Sequence, residues 1–157
     1  AALVCARSGD AALAQLVERA LGSLRAGRSV ILHTARGPAD TRIDAAIAAL
    51  QVDEGLQPAQ ARHEAGRRLG QRLGRLAREI LQQEPLERLL LSGGDTSSQV
   101  VKALAPDALL VEARLTPGAP LCRLASRQPW LDGLEVALKG GQMGDTGFFE
   151  TARIGRP

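Results

Sequence analysis

The sequence predicts an α/β fold: a mixed sheet with flanking helices, its strands turning antiparallel toward the C-terminus. Three observations carry this. Short apolar runs at 30–33, 88–92 and 134–138 alternate with longer stretches whose apolar residues recur at helical spacing. Between Asp107 and Ser126, the stretch DALLVEARLTPGAPLCRLAS holds two strand-like runs around a Thr-Pro-Gly-Ala-Pro turn, the pattern of a hairpin. The resulting order α-β-α-β-α-β-β-β suits one sheet whose last strands pair antiparallel. At 157 residues, with no internal repeat or low-complexity linker, the chain is read as one domain spanning 1–157.

The elements follow in order. Gly9-Asp10 precedes Leu13, Leu16, Val17, Leu21 and Leu24 on one helical face, and Gly27 ends the pattern. RSVILHTARGP reads as a buried strand at Val30–His33, bounded by arginines and Gly-Pro. Residues 37–58 fit either a short helix capped by Asp40 or a partly ordered connection. From Pro58, the residues Ala65, Leu69, Leu73, Leu76 and Ile80 mark a long helix, whose other face carries Arg67, Arg68, Arg75 and Arg78. That basic stripe reads as a solvated face. Pro85 ends the helix, RLLLS is the next strand, SSQVVKAL the next helix, and LEVAL the last strand before a short tail anchored by Phe148 and Phe149.

Composition narrows the function. The net charge is +3, yet only Lys102 and Lys139 are lysines, so the basic balance reflects an arginine-rich composition rather than a nucleic-acid surface. Trp130, Phe148 and Phe149 are the only aromatic residues, which leaves few stacking platforms for bases. No nucleic-acid partner is expected. Apolar runs such as Val30–Leu32 and Leu89–Leu91 fall far short of the ~20 residues needed to cross a bilayer, and no membrane partner is expected. Cys5 and Cys122 are too few and too far apart for a disulfide framework, and read as reduced, partly buried thiols of a cytoplasmic protein. The first residue is Ala, which suggests a chain cut from something longer.

Chemistry concentrates in two glycine loops. The first, Ser92-Gly93-Gly94-Asp95-Thr96-Ser97-Ser98, sits where a strand hands over to a helix. The first N–H groups of that helix lack internal partners and lie at the positive end of its dipole. Gly93 and Gly94 permit positive φ and close approach of a ligand to the backbone, and Thr96, Ser97 and Ser98 add hydroxyls. These are the parts of a phosphate cradle, although capped-turn chemistry uses the same residue types. The loop is neither a Walker A motif nor a dinucleotide fingerprint. The second loop, Lys139-Gly140-Gly141-Gln142-Met143-Gly144, also follows a strand and adds a point charge suited to phosphate. Ligands of open α/β sheets collect at such strand ends. Asp95 either helps hold Mg²⁺ or caps the helix. His33, at a strand end, reads as structural; Arg36 and Arg123 are within conceivable reach of a ligand, with nothing to single them out.

LLLSGGDTSSQVVKAL and, near the end of the chain, LEVALKGGQMGDTGFF together resemble the nucleotide-binding C-terminal domain of the four-carbon acid sugar kinase family. The order of the loops, the intervening hairpin and the Phe-Phe tail agree with it. The resemblance implies that Gly93, Gly94, Asp95 and Thr96 line the phosphates or ribose of ATP. Gly141, with Gly140, Gly144 and Lys139 beside it, would form the second contact, with Mg²⁺ bridging phosphate oxygens and no dedicated protein metal site. It also implies a separate N-terminal domain that binds the acid, such as threonate, erythronate or an oxo-tetronate, and brings most recognition groups. A serine contact of the family would fall before Ala1.

The reading is therefore the ATP-binding domain of a cytoplasmic kinase that phosphorylates a hydroxyl of a four-carbon sugar acid, leaving room for a homodimer. The general base is not expected on this chain, and the chain alone is expected to be inactive. The alternative is a non-catalytic nucleotide-sensing or subunit-interaction domain. Valine at Gly94 is expected to block both close approach and positive φ.

Overall fold

Apolar spacing and stop residues set the helices of the first half. The computed structural model describes residues 3–4, 9–37 and 39–154. They form two compact units, 1–80 and 81–157. Helix α1 runs Gly9–Arg25 and buries Leu13, Val17, Ala20 and Leu21 along one face. It ends in a Schellman turn. Gly27, at φ 72°, donates its N–H to the Leu24 carbonyl at 2.8 Å, and the Arg28 N–H donates to the Ser23 carbonyl at 3.1 Å.

The strand expected at Val30–His33 does not form. Ile31 is 71% exposed and Leu32 is 41% exposed. A strand needs a neighbour to satisfy its backbone groups, and the described residues of the first unit form no other strand for it to pair with. His33 accordingly lies in an irregular, exposed segment rather than at a strand end.

Of the two alternatives for residues 37–58, the helix is found: α2, Thr41–Glu54. Asp40 caps it, accepting the Arg42 N–H at 3.0 Å and the Arg36 N–H at 2.7 Å, and pairing with the Arg42 guanidinium at 2.5 Å. The Arg42 guanidinium first, then the two backbone donors, hold the Asp40 carboxyl well below the usual carboxylate range. Gly55, at φ 66°, closes the other end with an N–H to the Gln51 carbonyl at 3.0 Å. Helix α3 starts with Pro58, whose missing N–H costs nothing at that position, and runs to Gln83. Ala46, Ile47 and Leu50 of α2 pack with Ala61 and Ala65 of α3 and with Val4 in one apolar cluster.

The arginine stripe of α3 is matched by carboxylates. Arg67 pairs with Glu64 at 2.6 Å, and Arg68 with both Glu54 and Glu64 at 2.5 and 2.6 Å. Arg72 and Arg75 reach Asp10 of α1 at 2.7 and 2.9 Å. The Glu64 carboxyl is pulled from its ordinary 4.5 to about 2, chiefly by hydrogen bonds from Arg67 and then Arg68. Asp10 and Glu54 are lowered by Arg72 and Arg68 respectively. Groups lowered on folding bind fewer protons in the folded state, so stability is full above the unfolded value and is lost as pH falls through the folded one. Melting temperature is expected to be flat above about pH 5 and to fall toward about pH 2. Thermal melts across that range check this, and Glu64→Gln should show the shallower decline. An identical decline in wild type and Glu64→Gln would contradict it.

The second unit is built on four strands: β1 Arg88–Ser92, β2 Ala108–Thr116, β3 Ala119–Ala125 and β4 Glu135–Lys139. Their spatial order is β1-β4-β3-β2, with β1 and β4 parallel and the other pairs antiparallel. This is the mixed sheet the sequence predicts. The β2–β3 hairpin turns on Pro117-Gly118, where Gly118 takes φ 72°. Helix α4, Gly94–Leu104, follows β1 directly and packs against β1 and β4, burying Val100 and Leu104.

Leu90, Ala137 and Leu121 lie in register across β1, β4 and β3. With Leu115 and Ala119 they pack against Phe148 and Ala152 of helix α5, Phe148–Ile154. Strand alternation turns the neighbouring Val136 and Cys122 to the opposite face. Arg88, at the start of β1, fixes the far end of α5: it donates to the Ala152 and Arg153 carbonyls at 2.8 and 2.7 Å and pairs with Glu135. Phe148 anchors the tail as expected, but Phe149 does not, being 47% exposed and set T-shaped against the Phe148 ring. Cys122 is a buried free thiol whose proton affinity is raised by burial and then by Glu112; Cys5 lies outside the described residues.

Candidate functional site

Parallel pairing places the two glycine loops side by side. Ser92, the last residue of β1, is in register with Lys139, the last residue of β4. One residue further on, the Gly93 N–H donates to the Lys139 carbonyl at 2.9 Å. Loops far apart in sequence are thus joined by a hydrogen bond at the carboxyl edge of the sheet.

The first loop is tighter than its sequence indicates. Gly93 is the N-cap of α4, with φ 105° and ψ 127°, a conformation that favours glycine, and its carbonyl accepts the Ser97 N–H at 2.8 Å. Gly94 is already helical and needs no positive φ, and a Cβ there would meet nothing within 4 Å. The need for positive φ therefore falls on Gly93 alone, and the neighbouring position is open space. Asp95 does not cap the helix: α4 begins at Gly94, no side chain bonds at the cap, and Asp95 stands exposed in the first turn. There its charge is favoured by the helix dipole. The first-turn N–H groups of Gly94, Asp95 and Thr96 have no helical carbonyl four residues back to bond. Ser97 Oγ is buried without a hydrogen-bond partner, in a half-buried residue of the same turn.

The second loop turns on itself. The Met143 N–H donates to the Gly140 carbonyl at 3.1 Å, and the Met143 side chain lies so close to Gly118 of the hairpin that a Cβ there would come within 2.6 Å of its Cε. A Cβ at Gly140 would approach Met143 Cγ to 3.1 Å, whereas Gly141 faces open space. Gly144 takes φ 80°. Lys139 does not extend away from the loop: its ammonium donates to the Gly140 carbonyl at 3.0 Å and lies 5.7 Å from the centre of the Phe148 ring. That contact with Phe148 has no signal in the sequence, because it depends on how the loop folds.

Arg123 is committed elsewhere in the second unit: it pairs with Glu112 and donates to the Gly133 carbonyl and Glu135 near the opposite end of β4. In the first unit, the backbone N–H of Arg36 serves the Asp40 cap. Among the described residues, no group of three or more His, Cys, Asp or Glu side chains could hold a metal ion. No helix of the described residues is long and apolar enough to cross a membrane.

Comparison with known proteins bears on this arrangement. A family model described as a nucleotide-binding C-terminal domain matches residues 1–149. The chain belongs to that family. Among curated relatives, a 3-oxo-isoapionate kinase of Paraburkholderia graminis is 43% identical over 96% of this chain and 31% of its own length. A D-threonate kinase of Salmonella typhimurium is 29% identical over 92% of this chain and 32% of its own. A 3-oxo-tetronate kinase of Pseudomonas savastanoi pv. phaseolicola is 32% identical over 87% and 28%. A solved Haemophilus influenzae protein shares the fold, with a TM-score of 0.67 at 23% identity over 91% of this chain and 30% of its own. The chain thus spans about a third of the length of these sugar-acid kinases, as a nucleotide-binding C-terminal domain homologous to theirs.

Proposed function

We propose that this chain is the ATP-binding wall of a cytoplasmic kinase that phosphorylates a hydroxyl of a four-carbon sugar acid of the threonate, erythronate or oxo-tetronate type. The observation that carries it is the Gly93-to-Lys139 hydrogen bond, which brings a helix N-terminus and a lysine-bearing glycine loop to one edge of the sheet. Gly93, Gly94, Asp95 and Thr96 would face the phosphates, with first-turn N–H groups as donors. The buried, unpartnered Ser97 hydroxyl gives the turn one more donor. Gly140, Gly141 and Gly144 would shape the second wall, and Lys139 would supply positive charge. A magnesium ion bound with nucleotide takes most of its ligands from phosphate and water, so one exposed carboxylate such as Asp95 fits it, and no protein cluster is needed. Its chemistry would be to neutralise charge on the phosphates.

On this reading the residues of this chain bind and orient the nucleotide, and the group that takes the proton of the acceptor hydroxyl is assigned outside it. Since the chain covers about a third of its kinase relatives, acceptor recognition is assigned to the part of the protein it does not cover. One wall of a cleft can neither exclude water nor hold donor and acceptor in attack geometry. These 157 residues alone are therefore expected to bind Mg·ATP weakly, in the millimolar range or about −4 kcal/mol, and to transfer no phosphate. Calorimetric titration with Mg·ATP, and assays for ADP and phosphorylated acid over a panel of four-carbon acids, test both parts. Robust turnover by these residues alone would overturn the division of labour, and no nucleotide binding at all would overturn the reading itself.

A further inference from the structure

We propose that Phe148 is a positioning residue that holds the Lys139 ammonium ready for phosphate, with Gly144 as the gap through which the two side chains meet. Three elements contribute. Lys139 ends β4, Gly144 lies in the second loop, and Phe148 begins α5. The ammonium is 5.7 Å from the ring centre, within the range of cation–π attraction. A Cβ at Gly144 would stand 3.1 Å from Lys139 Cε and 3.4 Å from Phe148 Cβ and Cδ2, so any side chain there would intrude between them.

The ring is a fixed platform. Phe148 is 1% exposed and packed among Leu115, Leu121 and Ala137. The ammonium's other partners are the Gly140 carbonyl at 3.0 Å and the Gly141 carbonyl at 3.5 Å, both neutral oxygens of the lysine's own loop. An arriving phosphate oxygen carries full charge and displaces them. The ring attracts the cation through its quadrupole without demanding a directed hydrogen bond, so it is retained through the exchange. Phe148 therefore fixes the lysine stem while the donors change partner. The placement stands on geometry alone; its role rests on the nucleotide reading above.

Lys102 and Lys139 are the only lysines, so each is separately readable by NMR in the full ¹³C-labelled chain. The Lys139 ε-CH₂ signals are expected upfield of those of Lys102, through the ring current of Phe148. They should move to the Lys102 position in Phe148→Leu and stay shifted in Phe148→Tyr. Gly144→Ala should give the same loss of shift, and serves if Phe148→Leu does not fold. Lys139 signals coincident with those of Lys102 in wild type, or indifferent to both the Leu and Ala variants, would overturn the placement whatever the protein binds. In titrations with Mg·ATP, Phe148→Leu is expected to weaken binding about 3- to 10-fold, and to add no loss in a Lys139→Met background. Equal losses in both backgrounds would reduce Phe148 to a core residue and overturn the positioning role. A ring-shifted Lys139 in a protein that binds no nucleotide would overturn the nucleotide reading and the phosphate role together, while the pairing itself stands.

Discussion

Valine at Gly94 is expected to leave the fold intact and abolish nucleotide binding, while valine at Gly93 damages both. The two neighbours differ in backbone, not chemistry. Gly94 is an ordinary helical residue beside open space, so a side chain there costs little folding energy but occupies the volume a phosphate would fill. An affinity loss of more than about tenfold is expected, with an unchanged circular dichroism spectrum. Gly93 sits at φ 105° and ψ 127°, where a β-branched residue is strained by about 1–3 kcal/mol. It also donates the hydrogen bond that joins the two loops, so a shift there separates them. Titration calorimetry and urea denaturation of both variants check the pair. A Gly94→Val protein that binds Mg·ATP like wild type would place the phosphates elsewhere.

Val136→Asp is expected to unfold the second unit. Val136 is fully buried in β4, between β1 and β3, with Leu89 and Cys122 as register partners. An aspartate there would carry an unpaired charge into the sheet's interior, a loss of more than about 4 kcal/mol, comparable to the whole stability of a small unit. Val52→Asp is the matched control: Val52 is 84% exposed, and a change within about 0.5 kcal/mol is expected. Urea midpoints followed by amide NMR report both. A Val136→Asp protein with an unchanged midpoint would contradict the central place of β4.

What the sequence made legible was decided locally. The second glycine loop, the hairpin turn at Pro117-Gly118 and the Pro58 helix start are set by a few adjacent residues with strong backbone preferences, and the structure has each where expected. The first loop is shorter than expected, because α4 starts at Gly94 rather than Ser97. The run at Val30–His33 was misread because an apolar stretch becomes a strand only when another strand takes its hydrogen bonds. Of the two alternatives for Asp95, the cap fails by position. A cap must precede the first helical residue, and α4 starts one residue before it, at Gly94. The folded-back pose of Lys139 was invisible for a different reason: it depends on a loop conformation that brings Phe148 of the following helix beneath it.

The strand order has a consequence for when the site comes into being. β4 is the last of the four described strands to be synthesised, yet it lies between β1 and the hairpin rather than at an edge. Until it arrives, β1 and β3 have no common neighbour, and the first glycine loop has no carbonyl from Lys139 to hold it. Parallel, non-local pairing of this kind closes late, after the local turns and helices have formed. The two glycine loops therefore meet only at the step that completes the sheet. A ribosome-bound chain ending at the hairpin should be blind to nucleotide, and the same chain extended past α5 should acquire binding and cooperative unfolding together.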